Sequence, residues 1–164
     1  MFLHSTLFYN IEMEYFVDVK HCASFVLDFQ EYQASVRNQS QCAGQVPKTG
    51  QCSLFTGVRY GKADEISWMS QMYKRDICVI SNIVLGTSEI SGPPKEFALF
   101  GKHLEKIATE KYQGRPHWGK MNWANASVLK PVYGKFDAFN VIRKEVDPKG
   151  MFLNDYLRRV LGVQ

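Results

Sequence analysis

The order of strand and helix patterns is the feature that most limits what this chain can fold into. Residues 6–18 alternate apolar and polar side chains and predict a strand, whereas residues 19–37 place apolar side chains at helical spacing. Residues 53–61 and 76–85 predict two further strands, and a helix is expected at about 94–112. The order β-α-β-β-α lacks the regular βαβ repeat of a parallel sheet. It predicts an α+β fold in which helices cover one face of an antiparallel sheet.

The C-terminal part is predicted to be helical. Residues 133–145 and about 154–161 carry helical patterns, and Asn154 is a suitable N-cap for the second. The sequence Asp-Pro-Lys-Gly at 147–150 predicts a turn between them, because Pro presets its second position and Gly its fourth. These features are assigned to folding. The strand at 76–85 is strongly β-branched and is expected to be buried on both faces.

Composition limits the class of protein. The chain has 164 residues, 45% of them hydrophobic and 13% aromatic, which is typical of one packed domain. The net charge of +4 is spread along the chain without a dense Lys/Arg cluster, which argues against a nucleic-acid partner. No stretch approaches the roughly 20 apolar residues of a membrane-spanning helix.

Four cysteines are present, at positions 22, 42, 52 and 78. They form no Cys-x-x-Cys pair, and no histidine lies beside them at the spacing of metal ligands, so no metal site is predicted. The favoured interpretation is four buried or half-buried thiols. Cys42 and Cys52 flank a loop with Gly, Pro and Lys, and would close it as a disulfide in an oxidising compartment.

The run Gly114–Lys120 concentrates polar chemistry in seven residues. Arg115, His117 and Lys120 offer donors and titratable nitrogens, Trp118 adds an indole, and Gly and Pro define the backbone path. The alternative interpretation is a loop with a half-buried Trp and solvated charges. The residues that follow the run favour a functional loop.

The run and its downstream sequence resemble the C-terminal end of the sugar-1,4-lactone oxidases. The shared pattern is Arg-Pro-His-Trp-Gly-Lys, a short helix, and then Asp-Pro-x-Gly-x-Phe before a last helix, here at 115–120 and 147–152. The similarity is dense over about 107–162. These vanillyl-alcohol-oxidase-type flavoenzymes include L-gulonolactone oxidase, D-arabinono-1,4-lactone oxidase, plant galactonolactone dehydrogenase and the related alditol oxidases.

The resemblance implies a two-domain enzyme, in which an N-terminal domain binds FAD and a C-terminal cap places a sheet over the flavin. Residues 1–164 are interpreted as the cap alone, with the FAD-binding domain missing, because the sequence has neither a Gly-rich phosphate loop nor a flavin-attachment histidine. FAD is therefore expected to be bound mainly by a domain outside this sequence, in cis or in trans.

The implied activity is oxidation of an aldono-1,4-lactone to an ascorbate-like product, with oxygen as acceptor. Alternatives are an alditol oxidase-like activity or a cytochrome-c-linked dehydrogenase activity. A further alternative is a truncated, non-catalytic fragment or stand-alone interaction module, and the chain alone is expected to be inactive. The family also implies association with the ER or mitochondrial membrane.

The resemblance assigns roles to the residues of the loop. The family's Lys at position 120 points at the junction of flavin and substrate, where it stabilises negative charge. His117 either holds a substrate hydroxyl, accepts its proton, or fixes the loop through backbone hydrogen bonds. Trp118 is expected to pack under the ring system or the cap. Arg115 pairs with a carboxylate or reaches the cofactor.

Further candidates lie on the predicted strands. Many relatives carry Glu-x-Arg on one strand, and here Arg59 is present while Gly57 stands at the acidic position. This departure puts the usual substrate geometry in doubt and indicates a divergent subgroup. Ser81 and Asn82 interrupt an apolar strand, and one of them is expected to face the substrate pocket. Glu14 matches an acidic residue near the start of the family's cap and is interpreted as a pairing carboxylate.

Overall fold

The computed structural model describes residues 10–38, 55–85 and 95–164. Its sheet contains strands in the order β2-β3-β1-β4, with every neighbouring pair antiparallel. The strands are β1 (Asn10–Asp18), β2 (Phe55–Gly61), β3 (Ile77–Leu85) and β4 (Arg115–Pro116). The predicted α+β class and antiparallel sheet are confirmed. The parts of the predicted strands at 6–9 and 53–54 lie outside the described residues, as do Cys42 and Cys52.

In the described residues five α-helices accompany the sheet, and the helices expected at 19–37 and 94–112 are both present. A 3-10 turn at Val19–His21 leads into the first, and the second continues through a π-helical turn at Ile107–Lys111. The helices are α1 (Cys22–Asn38), α2 (Lys95–Lys106), α3 (Ala126–Leu129), α4 (Phe136–Val146) and α5 (Asp155–Leu161).

Strand alternation divides the sheet into a helix-covered face and an opposite face. On the helix-covered face, odd-numbered residues of β1 pack with β3 and with apolar residues of α1 and α2 to form the main core. Its largest fully buried members are Met13, Tyr15, Val17, Phe25, Phe29, Ile80, Phe100 and Leu104. The strand β3 is buried on both faces, as predicted, because Ile77 and Val79 are buried on the opposite face with Phe16.

The residues after β4 form a second core. Buried side chains of α3, α4 and α5 pack around Tyr133, and the indole of Trp118 joins them. Asn154 caps α5 as predicted, since its Oδ1 accepts from the backbone N–H of Leu157 at 2.8 Å. Gly150 has φ of 67°, a left-handed conformation that suits glycine in the predicted turn.

A disulfide joins Cys22 to Cys78, which corrects the interpretation of all cysteines as thiols. Their Cα atoms are 5.5 Å apart, and the bond ties the start of α1 to β3. The two residues are 56 positions apart in sequence, so neither motif nor spacing indicated the pairing. Within the described ranges, none of the helices combines the length and apolar character needed to cross a membrane.

Candidate active site

Polar side chains from three neighbouring strands meet on the opposite face of the sheet. In the strand register, Glu14 of β1 lies across from Ser81 of β3, and Ser81 lies across from Gly57 of β2. Arg59 is two residues along β2 from Gly57 and therefore shares this face. The antiparallel pairing thus brings a carboxylate, a hydroxyl and a guanidinium together from three distant segments.

These three side chains form one hydrogen-bonded unit. Ser81 Oγ donates to Glu14 Oε1 at 2.7 Å. The Nη2 group of Arg59 forms a short ion pair with Glu14 Oε1 and lies 2.7 Å from Ser81 Oγ. The Glu14 side chain is only 5% exposed, whereas that of Arg59 is 61% exposed. The guanidinium therefore covers the carboxylate and presents its outer surface to solvent.

The Glu14 carboxyl is held in its ionised form. Burial alone would raise the pKa of this carboxyl, because removing a charge from water is costly. The hydrogen bond from Ser81 and the charges of Arg59 and His117 outweigh that effect, so the pKa of Glu14 is below its ordinary value. Glu14 is a buried anion at neutral pH.

The loop after β4 adds two more cationic or polar groups to the same face. The backbone N–H of His117 donates to the Glu14 carbonyl at 3.0 Å, and that of Met121 donates to the Glu12 carbonyl at 3.0 Å. These bonds fix both ends of the loop against β1. The Nε2 atom of His117 then lies 4.0 Å from Glu14 Oε2, and Lys120 forms a short ion pair with Glu12.

The hydrogen bonds of His117 distinguish between its alternative roles. The backbone N–H of Gly119 donates to Nδ1 of His117 at 3.0 Å. In the neutral ring the proton is then assigned to Nε2, on the side of Glu14. The hydrogen bond between Gly119 and His117 is the contact that the loop-fixing alternative requires. The ring offers a donor at Nε2, and its acceptor nitrogen is engaged within the loop.

The site is layered by charge. Glu12 and Glu14 lie beneath, with side chains 17% and 5% exposed, whereas Lys120 and His117 are 33% and 36% exposed. Together with Arg59 they form a layer of hydrogen-bond donors, called the cation layer after Arg59 and Lys120 and defined as Arg59, His117 and Lys120 above the two carboxylates. The carboxylates hold these donors in place, and a ligand meets the donors first. Such a surface suits a ligand rich in oxygen atoms on which negative charge develops.

Arg115 lies elsewhere. Its Nε donates to the Val132 carbonyl at 2.8 Å, and its Nη1 donates to the carbonyls of Gln71 at 3.1 Å and Tyr73 at 2.9 Å. The guanidinium also lies 4.6 Å from the centre of the Tyr133 ring. Arg115 is buried, and it ties the connection between β2 and β3 to the C-terminal core. The structure does not bring it to the cation layer.

Trp118 also points away from the cation layer. Its Nε1 donates to the Met69 carbonyl at 2.7 Å, and its ring stacks on Tyr133 with centres 5.4 Å apart. It borders an apolar cavity of about 190 Å³ next to α4 and α5. Trp118 thus packs within the C-terminal core of this domain.

Only one of the two polar residues of β3 joins the site. Ser81 faces Glu14, whereas Asn82 has Met13 as its partner in the register and lies buried on the helix-covered face. This separation follows from strand alternation. The described part of the chain contains no group of three or more His, Cys, Asp or Glu residues that could hold a metal ion.

From the sequence alone, Glu14 is interpreted only as a pairing carboxylate, and Glu12 is not among the candidate site residues. Their i, i+2 spacing on a predicted strand already placed both carboxylates on one face. The sequence could not show that β4 would pair with β1 and bring Lys120 and His117 beside them, because a two-residue strand has no periodic signal.

The comparison with protein families identifies the family of this chain. A family model described as D-arabinono-1,4-lactone oxidase matches residues 1–160. The chain belongs to the D-arabinono-1,4-lactone oxidase family. It is therefore a domain of the sugar-lactone oxidase type, and the predicted resemblance is confirmed.

Members of known activity are similar over part of their length. The chain is 39% identical to an L-gulono-1,4-lactone dehydrogenase of Mycobacterium tuberculosis over 105 residues, which is 64% of this chain and 22% of that protein. It is 28% identical to an L-gulonolactone oxidase of Scyliorhinus torazame over 142 residues, 85% of this chain and 30% of that protein. An alditol oxidase of Streptomyces is 37% identical over 60 residues, 37% of this chain and 14% of that protein. The chain thus spans less than a third of the length of these relatives.

Proposed function

We propose that this chain forms the substrate-binding cap of an FAD-dependent aldono-1,4-lactone oxidase. The substrate is a lactone of the D-arabinono-1,4-lactone or L-gulono-1,4-lactone type, the product is ascorbate-like, and oxygen is the acceptor. The observation that carries the proposal is the cation layer, because it presents three donors over two carboxylates on one sheet face. The activities by which the relatives are named supply the substrate class.

The residues of the site fit a flavin at their surface. The flavin ring system would gain negative charge on reduction. The ammonium group of Lys120, which Glu12 holds in place, would stabilise that charge. Lys120 and the adjacent His117 would lie beside the ring, and a second domain, in cis or in trans, would hold the rest of FAD. When bound, FAD supplies the acceptor for the hydride.

The chain's own residues then orient and stabilise the substrate. Arg59 donates to hydroxyl or carbonyl oxygens of the lactone through its exposed guanidinium. Lys120 stabilises negative charge on the reacting oxygen, and Nε2–H of His117 donates to a neighbouring oxygen. Glu14 lies beneath Arg59 with its side chain only 5% exposed, so its role in the proposal is to hold Arg59 and His117 in place rather than to accept a proton from the substrate.

The proposal is tested on the native-length protein purified with its flavin. Adding lactone under anaerobic conditions should bleach the flavin absorbance, and oxygen should be consumed in air. Replacing Lys120 by Ala should lower kcat/KM by about 10² to 10³-fold, as for loss of one electrostatic group at a reacting oxygen. Lys130→Ala is the matched control, because Lys130 pairs with Asp137 at 2.9 Å outside the site. Unchanged turnover in Lys120→Ala would refute the assignment.

A second candidate is a non-catalytic interaction module. It is favoured by apolar side chains exposed together near the end of α4, at Val146, Met151 and Phe152. The two candidates are distinguished by the size of the native protein, detected in its own cells with an antibody against this chain. A band near 18.8 kDa without co-purifying flavin supports the module, whereas a much larger flavin-containing band supports the enzyme. Membrane association stays a prediction, to be checked by fractionating the same cells.

A further inference from the structure

Gly57 leaves a gap in the site face of the sheet. It lies in the middle of β2, across from Ser81 and two residues before Arg59. A Cβ atom built on Gly57 would meet Ser81 Cβ at 3.7 Å and Ser81 Oγ at 4.0 Å, which are ordinary van der Waals contacts. Its φ is outside the left-handed region. The backbone and the neighbours would therefore accept a side chain at this position.

The fold gives no reason for glycine here. Glycine within a strand is less stable than alanine, because it loses more backbone freedom on folding. Gly61, on the same strand, has such a reason, since its Cβ would lie 2.9 Å from Ile77 Cδ1. Glycine inside a strand often marks the close approach of another molecule. Packing within the fold therefore does not explain the open space beside Gly57.

The position of Gly57 across the sheet indicates which part of a ligand approaches it. The strand order β2-β3-β1-β4 places Gly57 and Arg59 on one side and His117 and Lys120 on the other. Neighbouring strands lie about 4.8 Å apart, so β2 is about 10 Å from β1. A lactone with its reacting carbon at His117 and Lys120 extends across the strands, and its far end points toward Gly57.

The polar side chains around Gly57 can form hydrogen bonds with hydroxyl groups of a ligand. The guanidinium of Arg59 donates, while Ser81 Oγ can donate or accept. We propose that Gly57, with Arg59 and Ser81, forms a notch for the exocyclic hydroxyalkyl chain of the lactone. The notch makes Gly57 a specificity-determining residue that favours lactones with the longer chain. This inference rests on the proposed function.

The test measures the affinity of two lactones for the native-length protein by lactone-observed saturation-transfer NMR. L-Gulono-1,4-lactone carries a two-carbon exocyclic chain, and D-arabinono-1,4-lactone carries a one-carbon chain. In Gly57→Ala the added methyl group fills the notch. We expect affinity for the longer lactone to fall about tenfold, as for one methyl group in a fitted pocket, and affinity for the shorter lactone to fall less than about threefold.

Gly134→Ala is the matched control. A Cβ at Gly134 meets nothing within 4 Å, its φ is outside the left-handed region, and it lies outside the site. Both variants should unfold at or above the wild-type temperature, since each replaces an unstrained glycine. Affinity for both lactones should be unchanged in Gly134→Ala.

The outcomes separate this inference from the proposed function. An equal loss for both lactones, or no loss, in Gly57→Ala overturns the notch while the enzyme assignment stands. Absence of binding to the wild-type protein also overturns the notch. The enzyme assignment is then decided separately, by flavin reduction with lactone and by Lys120→Ala.

Discussion

The guanidinium of Arg59 lies over the carboxylate of Glu14 and excludes it from solvent. One group is mostly exposed and the other is buried, so the pair joins the surface of the site to its interior. The arrangement also makes Glu14 a structural element, because its charge is balanced only in the folded sheet. The pair therefore couples the stability of the sheet to the position of a guanidinium at the surface of the site.

The first prediction concerns Glu14 and pH. Its folded-state pKa is lowered from 4.5, so the carboxylate adds stability above that value, and this contribution is lost as pH falls through the folded pKa. Glu14→Gln should lower the free energy of unfolding by about 2 kcal/mol at neutral pH, the scale of hydrogen bonds to a charged group. At about pH 3 the variant and the wild type should differ less. Urea unfolding at both pH values measures the change.

Glu110→Gln is the control for that measurement. Glu110 is exposed and lies 4.0 Å from Lys106 within one helix, so its loss should change stability by less than about 0.5 kcal/mol. A Glu14→Gln protein that keeps the wild-type pH dependence of unfolding would contradict the prediction.

The second prediction separates the roles of His117. In His117→Asn, the side-chain oxygen can accept from the backbone N–H of Gly119 in place of Nδ1. If the ring mainly fixes the loop, kcat/KM should fall about tenfold or less. A loss beyond about 10³-fold, with a displaced pH–rate profile, would instead indicate that the imidazole exchanges the substrate proton. Steady-state assays across pH decide between them.

The third prediction concerns Arg115. A lysine at this position has one ammonium group, which cannot reach the Val132, Gln71 and Tyr73 carbonyls with the geometry of a guanidinium. Arg115→Lys should lower the free energy of unfolding by about 2 to 4 kcal/mol, since buried acceptors lose their donors. Arg59→Lys, at an exposed guanidinium, should cost less than about 1 kcal/mol in the same thermal or urea unfolding experiment.

The fourth prediction concerns the disulfide between Cys22 and Cys78. Its 56-residue separation closes a long loop, so reduction should lower the free energy of unfolding by up to about 4 kcal/mol in the chain-entropy model. The double variant Cys22→Ala, Cys78→Ala is the control, because reductant should then have no further effect. A further drop on reduction of this variant would assign the stabilisation to other cysteines.

The strands and helices could be predicted because their signals are local. Alternation at 6–18 and helical spacing at 19–37 are read within one segment, and the structure shows a strand at Asn10–Asp18 and a helix at Cys22–Asn38. The antiparallel class followed from the order of these elements. Periodicity also placed Glu12 and Glu14 on one face, which is half of the site.

The remaining features depend on contacts between distant segments. Lys120 meets Glu12 only because β4 pairs with β1, and Cys22 meets Cys78 only because α1 begins beside β3. Arg115 was predicted beside a cofactor because it lies in the functional loop, but its guanidinium is taken up by the backbone carbonyls of Gln71, Tyr73 and Val132. A sequence motif places residues near one another in the chain, but it does not show which distant groups each side chain contacts in the fold.

The bonds of Arg115 end on backbone carbonyls alone, and this has a consequence for how the protein can change. Any amino acid at positions 71, 73 and 132 supplies the same carbonyl oxygen, so the path of the connection does not depend on their side chains. The link is therefore lost by substitution at position 115, whereas substitution at an acceptor position leaves the accepting carbonyl in place. One arginine thereby tethers the connection beside the site through main-chain atoms.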